Sequence, residues 1–364
     1  MAILAFPAMA GASGAQSAAR VSTPAQISTQ VRQTGTGALS TTQVKSLEGN
    51  PRALGGFVFQ PPTMLEGPFI TSHIRTETAM GAVRQRAVKP DVQIPGAPTS
   101  YDLRVGALQQ RTSVGVALSP NLSLGLDGGV TSYGGMNSPS ALQAGSGVAF
   151  DARPGIKVGL VNDQDDGIAV ALRAYGMAAQ VMGSRPAGII EARAQRGVTQ
   201  QAVNAVEAGR VEMSLVGGGV SLSAAKNIGR HAGVQVEIGG EGSRVTGGNA
   251  IQGRIDSQPR TLYAGTAASI DLSPIVPVGA MVEYRMDRSV VPVAASSKAD
   301  VTAGDTGQSN MHRVSAGLYY TARSNLVLGV AGTYGLARGN MPSAPATPKP
   351  ARIAGGRLTV GYYF

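Results

Sequence analysis

From about residue 66 onward, apolar residues alternate strictly with other residues in a series of short runs. In the clearest run, Val282 and Tyr284 alternate with Glu283 and Arg285. Successive side chains of a β-strand point to opposite faces, so each run predicts a strand with one apolar face. The second face carries charged and small residues. Glycine is abundant, with 50 of 364 residues, and only 14% of residues are charged, as expected if one strand face needs lipid and the other needs small side chains.

Connections of two lengths join these runs in strict alternation. The short ones lie at about 119–121, 162–166, 226–231, 272–277 and 322–325. The long ones lie at about 84–100, 134–142, 183–207, 246–259, 288–310 and 338–351. Short turns at one end and long loops at the other are typical of a bacterial transmembrane barrel. The chain therefore predicts an all-β, antiparallel up-and-down β-barrel, with short periplasmic turns and long extracellular loops.

These connections join twelve strands, although two segments leave the strand assignment open. Residues 66–83 are polar on both faces, so a barrel of ten strands is the alternative. Between Val105 and Val114 the apolar residues also change from odd-numbered to even-numbered positions. This shift in parity predicts a bulge within 101–118. An open sheet edge in hydrocarbon would leave backbone N–H and C=O groups unpaired, so the sheet must close.

The last strand ends the chain with the run RLTVGYYF. Its apolar positions are Leu358, Val360, Tyr362 and Phe364. In this run the chain resembles the Gram-negative, porin-like outer-membrane β-barrel superfamily, whose members end in such a strand with a terminal aromatic residue. The resemblance covers residues 66–364 and points to no particular member. It implies an outer-membrane location, contact with lipid, and recognition of this strand by the barrel assembly machinery.

Two segments precede the predicted barrel. Residues 1–15 begin with an apolar stretch and contain Ala8-Met9-Ala10, which is typical of a signal-peptide cleavage site. The basic start of a signal peptide is missing, so this segment is interpreted as signal-peptide-like, with a truncated or wrongly placed start, and a merely apolar N-terminus is the alternative. Residues 16–65 are rich in Ser, Thr, Gln, Ala and Gly, and are predicted to form a flexible periplasmic arm or a plug.

Charged residues on the inward parity form a predicted lumen ladder, because charge on the lipid face is costly. Its members are Arg104, Arg111, Asp127, Lys157, Arg173, Arg210, Glu212, Glu237, Glu241, Glu283, Arg285, Asp287, Arg313 and Arg357. One interpretation is a cross-strand salt-bridge network that fills a narrow barrel. The other is a set of charges that selects ions or small solutes, and the slight basic excess then predicts a weak anion preference.

Neither a metal site, a cofactor nor catalysis is expected. The chain has no cysteine, and its three histidines are scattered. His312 and Ser315 fall on opposite faces of one strand, as do Ser72 and His73, so neither pair is a good nucleophile and base. The net charge of +10 is spread without a basic stripe, so nucleic acid is not an expected partner.

Three functions remain at this stage. The first is a non-catalytic channel for passive passage of ions or small hydrophilic solutes. The second is a non-conducting barrel that anchors an envelope or secretion complex through its N-terminal arm and loops. A third, the translocator of a passenger that exports itself, is weaker, because residues 1–65 do not resemble a folded passenger.

Overall fold

A computed structural model of the chain describes residues 50–88, 100–184, 186, 210–249, 253–273, 275–292, 306–323, 325–340 and 349–364. The signal-like segment 1–15 and most of the predicted arm lie outside these residues. The helix that forms here is α1 (Ser138–Gln143). The strands are β1 (Ala53–Leu54), β2 (Phe57–Val58), β3 (His73–Val88), β4 (Tyr101–Ser119), β5 (Leu122–Gly135), β6 (Ser146–Asp163), β7 (Ile168–Ser184), β8 (Arg210–Ile228), β9 (Ala232–Asn249), β10 (Gly253–Ser257), β11 (Arg260–Asp271), β12 (Val278–Pro292), β13 (Thr306–Tyr320), β14 (Leu326–Asn340) and β15 (Ala351–Tyr363). Across the described residues, no helix has the length and apolar character needed to cross a membrane.

Strands β3 to β15 form one antiparallel sheet that closes on itself. Strand β15 pairs with β3, and β8 pairs with β9, so the ring has no free edge. Strands β10 and β11 both pair with β9 and share one position in the ring. The predicted barrel of twelve strands is therefore confirmed. The ten-strand alternative is wrong, because β3 pairs with both of its neighbours.

The strand ends confirm the alternation of short and long connections, with three local corrections. The predicted barrel boundary at residue 66 moves to His73, where β3 begins. The predicted loop 246–259 is mostly strand, since β9 continues to Asn249 and β10 begins at Gly253. The predicted loop 134–142 contains most of helix α1, whose N-cap Asn137 accepts a hydrogen bond from the backbone N–H of Ser140.

The parity shift between Val105 and Val114 predicted a bulge within 101–118, but the register of β4 is unbroken between these two residues. Its register with β3 is continuous from Leu103 to Gly115. The register shift with β5 lies instead between Ala117 and Ser119. Leu103 and Val105 therefore point inward and are buried, although the sequence pattern places apolar residues on the outer face.

Large apolar side chains cover the outer surface of the barrel. Examples are Leu126, Val220, Leu318 and Val330, each more than half exposed. The four apolar residues of the predicted assembly signal also lie on this face, with exposed fractions of 45–69%. Such a surface is unfavourable in water and favourable in hydrocarbon, and the closed sheet leaves no backbone edge facing lipid.

The apolar core lies inside the barrel, between the wall and the residues that precede β3. One cluster joins Leu54, Phe57 and Phe59 to the wall residues Ala169 and Ala225. A second surrounds Leu65 with Ala267, Met281, Tyr319, Val327 and Tyr363. Residues 50–72, called the inner segment below, therefore fill part of the lumen with their own side chains.

We expect Val330→Arg to lower the free energy of unfolding in lipid by about 2–4 kcal/mol, because it places a charge on the lipid face. Ser132→Arg is the matched control, since Ser132 also points outward but lies near the long-loop end of β5, between the uncharged residues Leu108 and Val148. We expect it to cost about 0–1 kcal/mol. Urea unfolding in vesicles, followed by heat-modifiable gel mobility, measures both. Equal costs would contradict the assignment of this face to lipid.

Candidate functional site

The inner segment begins with a tight hairpin. Strands β1 and β2 pair through Ala53 and Val58, and Gly55 and Gly56 turn between them with φ of 56° and 80°. These positive φ values favour glycine. The guanidinium of Arg52 donates to the carbonyl of Phe59 at 2.8 Å, which holds the two ends of the hairpin together.

One wall of the lumen binds the inner segment through Glu283 on β12. Its carboxylate accepts the backbone N–H groups of Thr63 at 2.9 Å and Met64 at 2.8 Å. It also accepts the Thr63 hydroxyl at 2.6 Å. Glu283 is only 1% exposed, and every hydrogen bond found for its carboxylate comes from the inner segment. The inner segment therefore supplies the hydrogen-bond donors that this buried carboxylate needs.

Across the lumen, Lys157 on β6 and Arg173 on β7 hold the carboxylate of Glu66. The Lys157 ammonium pairs with Oε1 of Glu66, and the Arg173 guanidinium pairs with Oε2 at 3.0 Å. Lys157 also donates to the carbonyl of Gly67 at 2.9 Å. A second amine of Arg173 pairs with Asp127 at 2.6 Å. Glu66 and Asp127 thus form a group of four charges with Lys157 and Arg173.

Other lumen charges contact the backbone of the same segment. Arg357 donates to the carbonyl of Thr63 at 2.6 Å, and Arg285 donates to the carbonyl of Met64 at 2.8 Å. The carboxylate of Glu237 accepts the N–H of Glu66 at 2.9 Å. Acids therefore meet N–H groups and bases meet carbonyls along Thr63–Gly67, which orients the segment as well as holding it.

Other inward charges pair with side chains of the wall, either across strands or along one strand. Asp287 bridges Arg285 at 2.8 Å and Arg313 at 2.7 Å. Arg111 pairs with Asp151 at 3.1 Å. Glu241 accepts the hydroxyl of Tyr175 at 2.9 Å. The lumen therefore contains cross-strand pairs, as one sequence interpretation expected, and also a set of charges bound to the inner segment.

Three members of the predicted ladder point outward. Arg210 and Glu212 pair with each other at 3.4 Å on the outer face of β8, with side chains 69% and 48% exposed. Arg104 also points outward, because β4 keeps its register where a bulge was predicted. All three lie at the end of their strand that carries the long loops, where the cost of outward charge falls towards zero. The other members point inward.

Several inward charges were missed by the sequence reasoning. They are Arg75 and Glu77 on β3, Asp151 and Arg153 on β6, and Glu66 of the inner segment. Strand β3 was judged polar on both faces, which hid its inward residues. The polar outer face of β3 is real, since Thr78 donates to Gln110 of β4 at 2.5 Å on the exposed side.

A cavity of about 70 Å³ lies between the inner segment and the wall. Glu66, Arg75, Asp127 and Lys157 are among its lining residues. The buried Nε atom of Arg75 lies 3.4 Å from Oε1 of Glu77 and has no hydrogen bond to the residues that the structure describes. The cavity is polar and large enough for water.

His73 and Ser113 form a cross-strand pair that cannot be recognised from the sequence alone. Nε2 of His73 lies 3.2 Å from the Ser113 hydroxyl, and Nδ1 lies 3.0 Å from the hydroxyl of Thr71. The ring of His73 also stacks on Tyr363, with centroids 5.2 Å apart. These contacts fix the imidazole in the packed lumen. Within the described residues, no group of three or more potential metal ligands occurs.

A closed antiparallel barrel with an apolar exterior and a charged lumen is the architecture of a transmembrane β-barrel, and this defines the class of the protein. The sequence matches no protein-family profile, and no curated protein resembles it in sequence.

The comparison with solved structures finds chains of distantly similar fold. The translocator domain of autotransporter NalP from Neisseria meningitidis is 11% identical, with 81% of this chain and 88% of that chain covered and a TM-score of 0.42. An outer membrane channel from Pseudomonas putida F1 is 12% identical, with 81% and 96% covered and a TM-score of 0.44. The toluene transporter TodX of P. putida is 8% identical, with 88% and 93% covered and a TM-score of 0.36. These values describe a similar kind of barrel, and no conclusion about function rests on them.

We expect Glu283→Ala to lower the free energy of unfolding by about 3 kcal/mol, because it leaves two buried N–H groups and a hydroxyl without an acceptor. Glu212→Ala is the matched control, since Glu212 pairs with Arg210 on the exposed surface. We expect it to cost under about 0.5 kcal/mol. Urea unfolding in vesicles measures both changes. A similar small cost for the two variants would show that Glu283 does not hold the inner segment.

Proposed function

We propose that this protein is an outer-membrane channel for passive passage of ions or small hydrophilic solutes, and that residues 50–72 close it at rest. The observation that supports the proposal is how the inner segment is held. Beside its two apolar clusters, it binds the wall through charges such as Glu283 and Lys157. Charged walls remain compatible with water when a segment leaves, whereas a continuous apolar core does not.

The pairing at Glu66 offers a way to open the channel in the laboratory. Glu66→Lys places a third positive charge beside Lys157 and Arg173. Like charges repel strongly in a lumen of low dielectric constant, so the segment should leave while the wall stays intact. We expect single-channel recordings in planar bilayers to show a clear rise in conductance over the unaltered protein.

A disulfide tests whether movement of the inner segment causes that rise. The Thr63 and Ser315 hydroxyls lie 3.5 Å apart, so cysteines introduced at these two positions face each other. The chain has no cysteine of its own, so the added pair is the only thiol pair. In the Glu66→Lys background, the oxidised pair should abolish the added conductance and reduction should restore it. The single-cysteine variants are the controls, and their conductance should be the same under oxidising and reducing conditions.

Folded Glu66→Lys protein, verified by heat-modifiable gel mobility, provides the decisive comparison. Conductance no higher than that of the unaltered protein, in both redox states, would reject the channel. In that case the alternative gains support, namely a non-conducting barrel that anchors an envelope or secretion complex. The fixed inner segment favours this alternative, and co-purification with stoichiometric envelope proteins is its test.

A weak anion preference remains part of the proposal. The wall charges that contact the inner segment are the bases Lys157, Arg173, Arg285 and Arg357 and the acids Glu237 and Glu283, and Glu66→Lys removes one further acid from among them. We expect the opened Glu66→Lys channel to favour chloride over potassium when the reversal potential is measured in a salt gradient. Lys157→Met in the same background should reduce this preference, and Lys226→Met should not, because Lys226 lies exposed near the short turn that follows β8. A cation-selective reversal potential would contradict the prediction.

The proposed channel needs no catalysis or cofactor. We propose that its partners are the lipid of the outer membrane and the barrel assembly machinery, which would recognise the outward residues of β15. Envelope proteins remain candidate partners, and nucleic acid does not, since the described basic residues of the lumen face acids or the inner segment.

A further inference from the structure

The wall around Thr63–Gly67 contacts the backbone of this stretch more than its side chains. Backbone N–H groups of Thr63, Met64 and Glu66 donate to acids of the wall. Carbonyl groups of Thr63, Met64 and Gly67 accept from bases of the wall. Contacts of this kind bind the backbone of a peptide that bends as residues 63–65 do, whatever most of its side chains are.

Two side chains of the stretch do have dedicated sites. Leu65 packs in the buried apolar cluster that includes Met281 and Tyr319. The carboxylate of Glu66 lies between Lys157 and Arg173. The wall therefore distinguishes one apolar residue followed directly by one acidic residue.

We propose that the lumen is a binding site for short peptides that follow the bent backbone path of Thr63–Gly67 and contain an apolar residue followed by an acidic residue, and that the inner segment occupies this site as an internal ligand. This inference rests on the proposed channel, whose open state exposes the site.

The energetics of opening support the choice of ligand. Glu283 and Lys157 have hydrogen-bond partners only in the inner segment among the described residues. When the segment leaves, water or another ligand takes over these hydrogen bonds. A peptide that offers the same N–H groups, carbonyls and carboxylate provides them. It then favours the open state by its differential affinity.

The test uses a synthetic peptide with the sequence of residues 61–68, acetyl-PPTMLEGP-amide, carrying a fluorescent label. Fluorescence anisotropy measures its binding to refolded Glu66→Lys barrel in detergent. We expect saturable binding to this variant. We expect none to the oxidised double variant Thr63→Cys, Ser315→Cys with Glu66 retained, because its own segment is held in the site by the disulfide.

A matched set of changes isolates the carboxylate clamp, which is the pair Lys157 and Arg173 around the acidic side chain. The peptide with Gln in place of Glu should bind about ten- to a hundredfold more weakly, since it loses charge-assisted hydrogen bonds. Lys157→Met in the barrel should weaken binding of the acidic peptide by a similar factor. The two changes together should lower the affinity little more than either change alone. Lys226→Met is the control variant and should leave the affinity unchanged.

The outcomes separate this inference from the proposed function. If the Glu66→Lys barrel conducts but binds the peptide no better than a scrambled peptide, the binding site is rejected and the channel stands. Equal affinity for the acidic and the Gln peptide would reject the carboxylate clamp in the same way. Binding without any conductance would support the site and reject the channel.

Discussion

The structure depends on one constraint, which is that backbone polar groups in hydrocarbon must all be hydrogen-bonded. The pairing of β15 with β3 meets it, since it removes the last free edge of the sheet. Closure then fixes the orientation of every side chain, because residues alternate between lipid and lumen. Leu358 and Val360 face outward for this reason, and Arg357 beside Leu358 faces inward. One backbone requirement thus places both the lipid surface and the charges of the lumen.

Charges that are forced inward need partners, and the lumen provides them in two ways. Some pair across strands, as Asp287 does with Arg313. Others, such as Glu283, pair with the inner segment. A buried charge is strongly unfavourable when it loses its partner, so these residues make the segment part of the folded barrel and not a loose tail. The same contacts are polar, which separates them from the apolar packing around Phe59.

Strict parity made most of the architecture predictable from the sequence. The strand order, the alternation of turns and loops, and the outward face of β15 all follow from local patterns. Parity failed where lipid no longer constrains it: Arg210 and Glu212 lie at a strand end, where an outward charge has little cost. It also gave no information on Glu66, because the inner segment has no periodic pattern. The pairing of Glu66 with Lys157 joins positions far apart in the chain, and only the closed barrel brings them together.

The inner segment is held by Glu283 on one side of the lumen and by Lys157 on the other, and the chemistry of these two contacts explains how it can be both firmly bound and replaceable. Glu283 binds N–H groups, and Lys157 binds carbonyl and carboxylate oxygens, so another peptide with the same groups can make these contacts. Stability of the closed state comes from the high effective concentration of a tethered ligand. A free ligand with the same groups competes only if its own binding offsets that advantage. The exchange between inner segment and ligand is therefore governed by concentration and by the carboxylate clamp, and not by the strength of the barrel, whose hydrogen bonds are the same in both states.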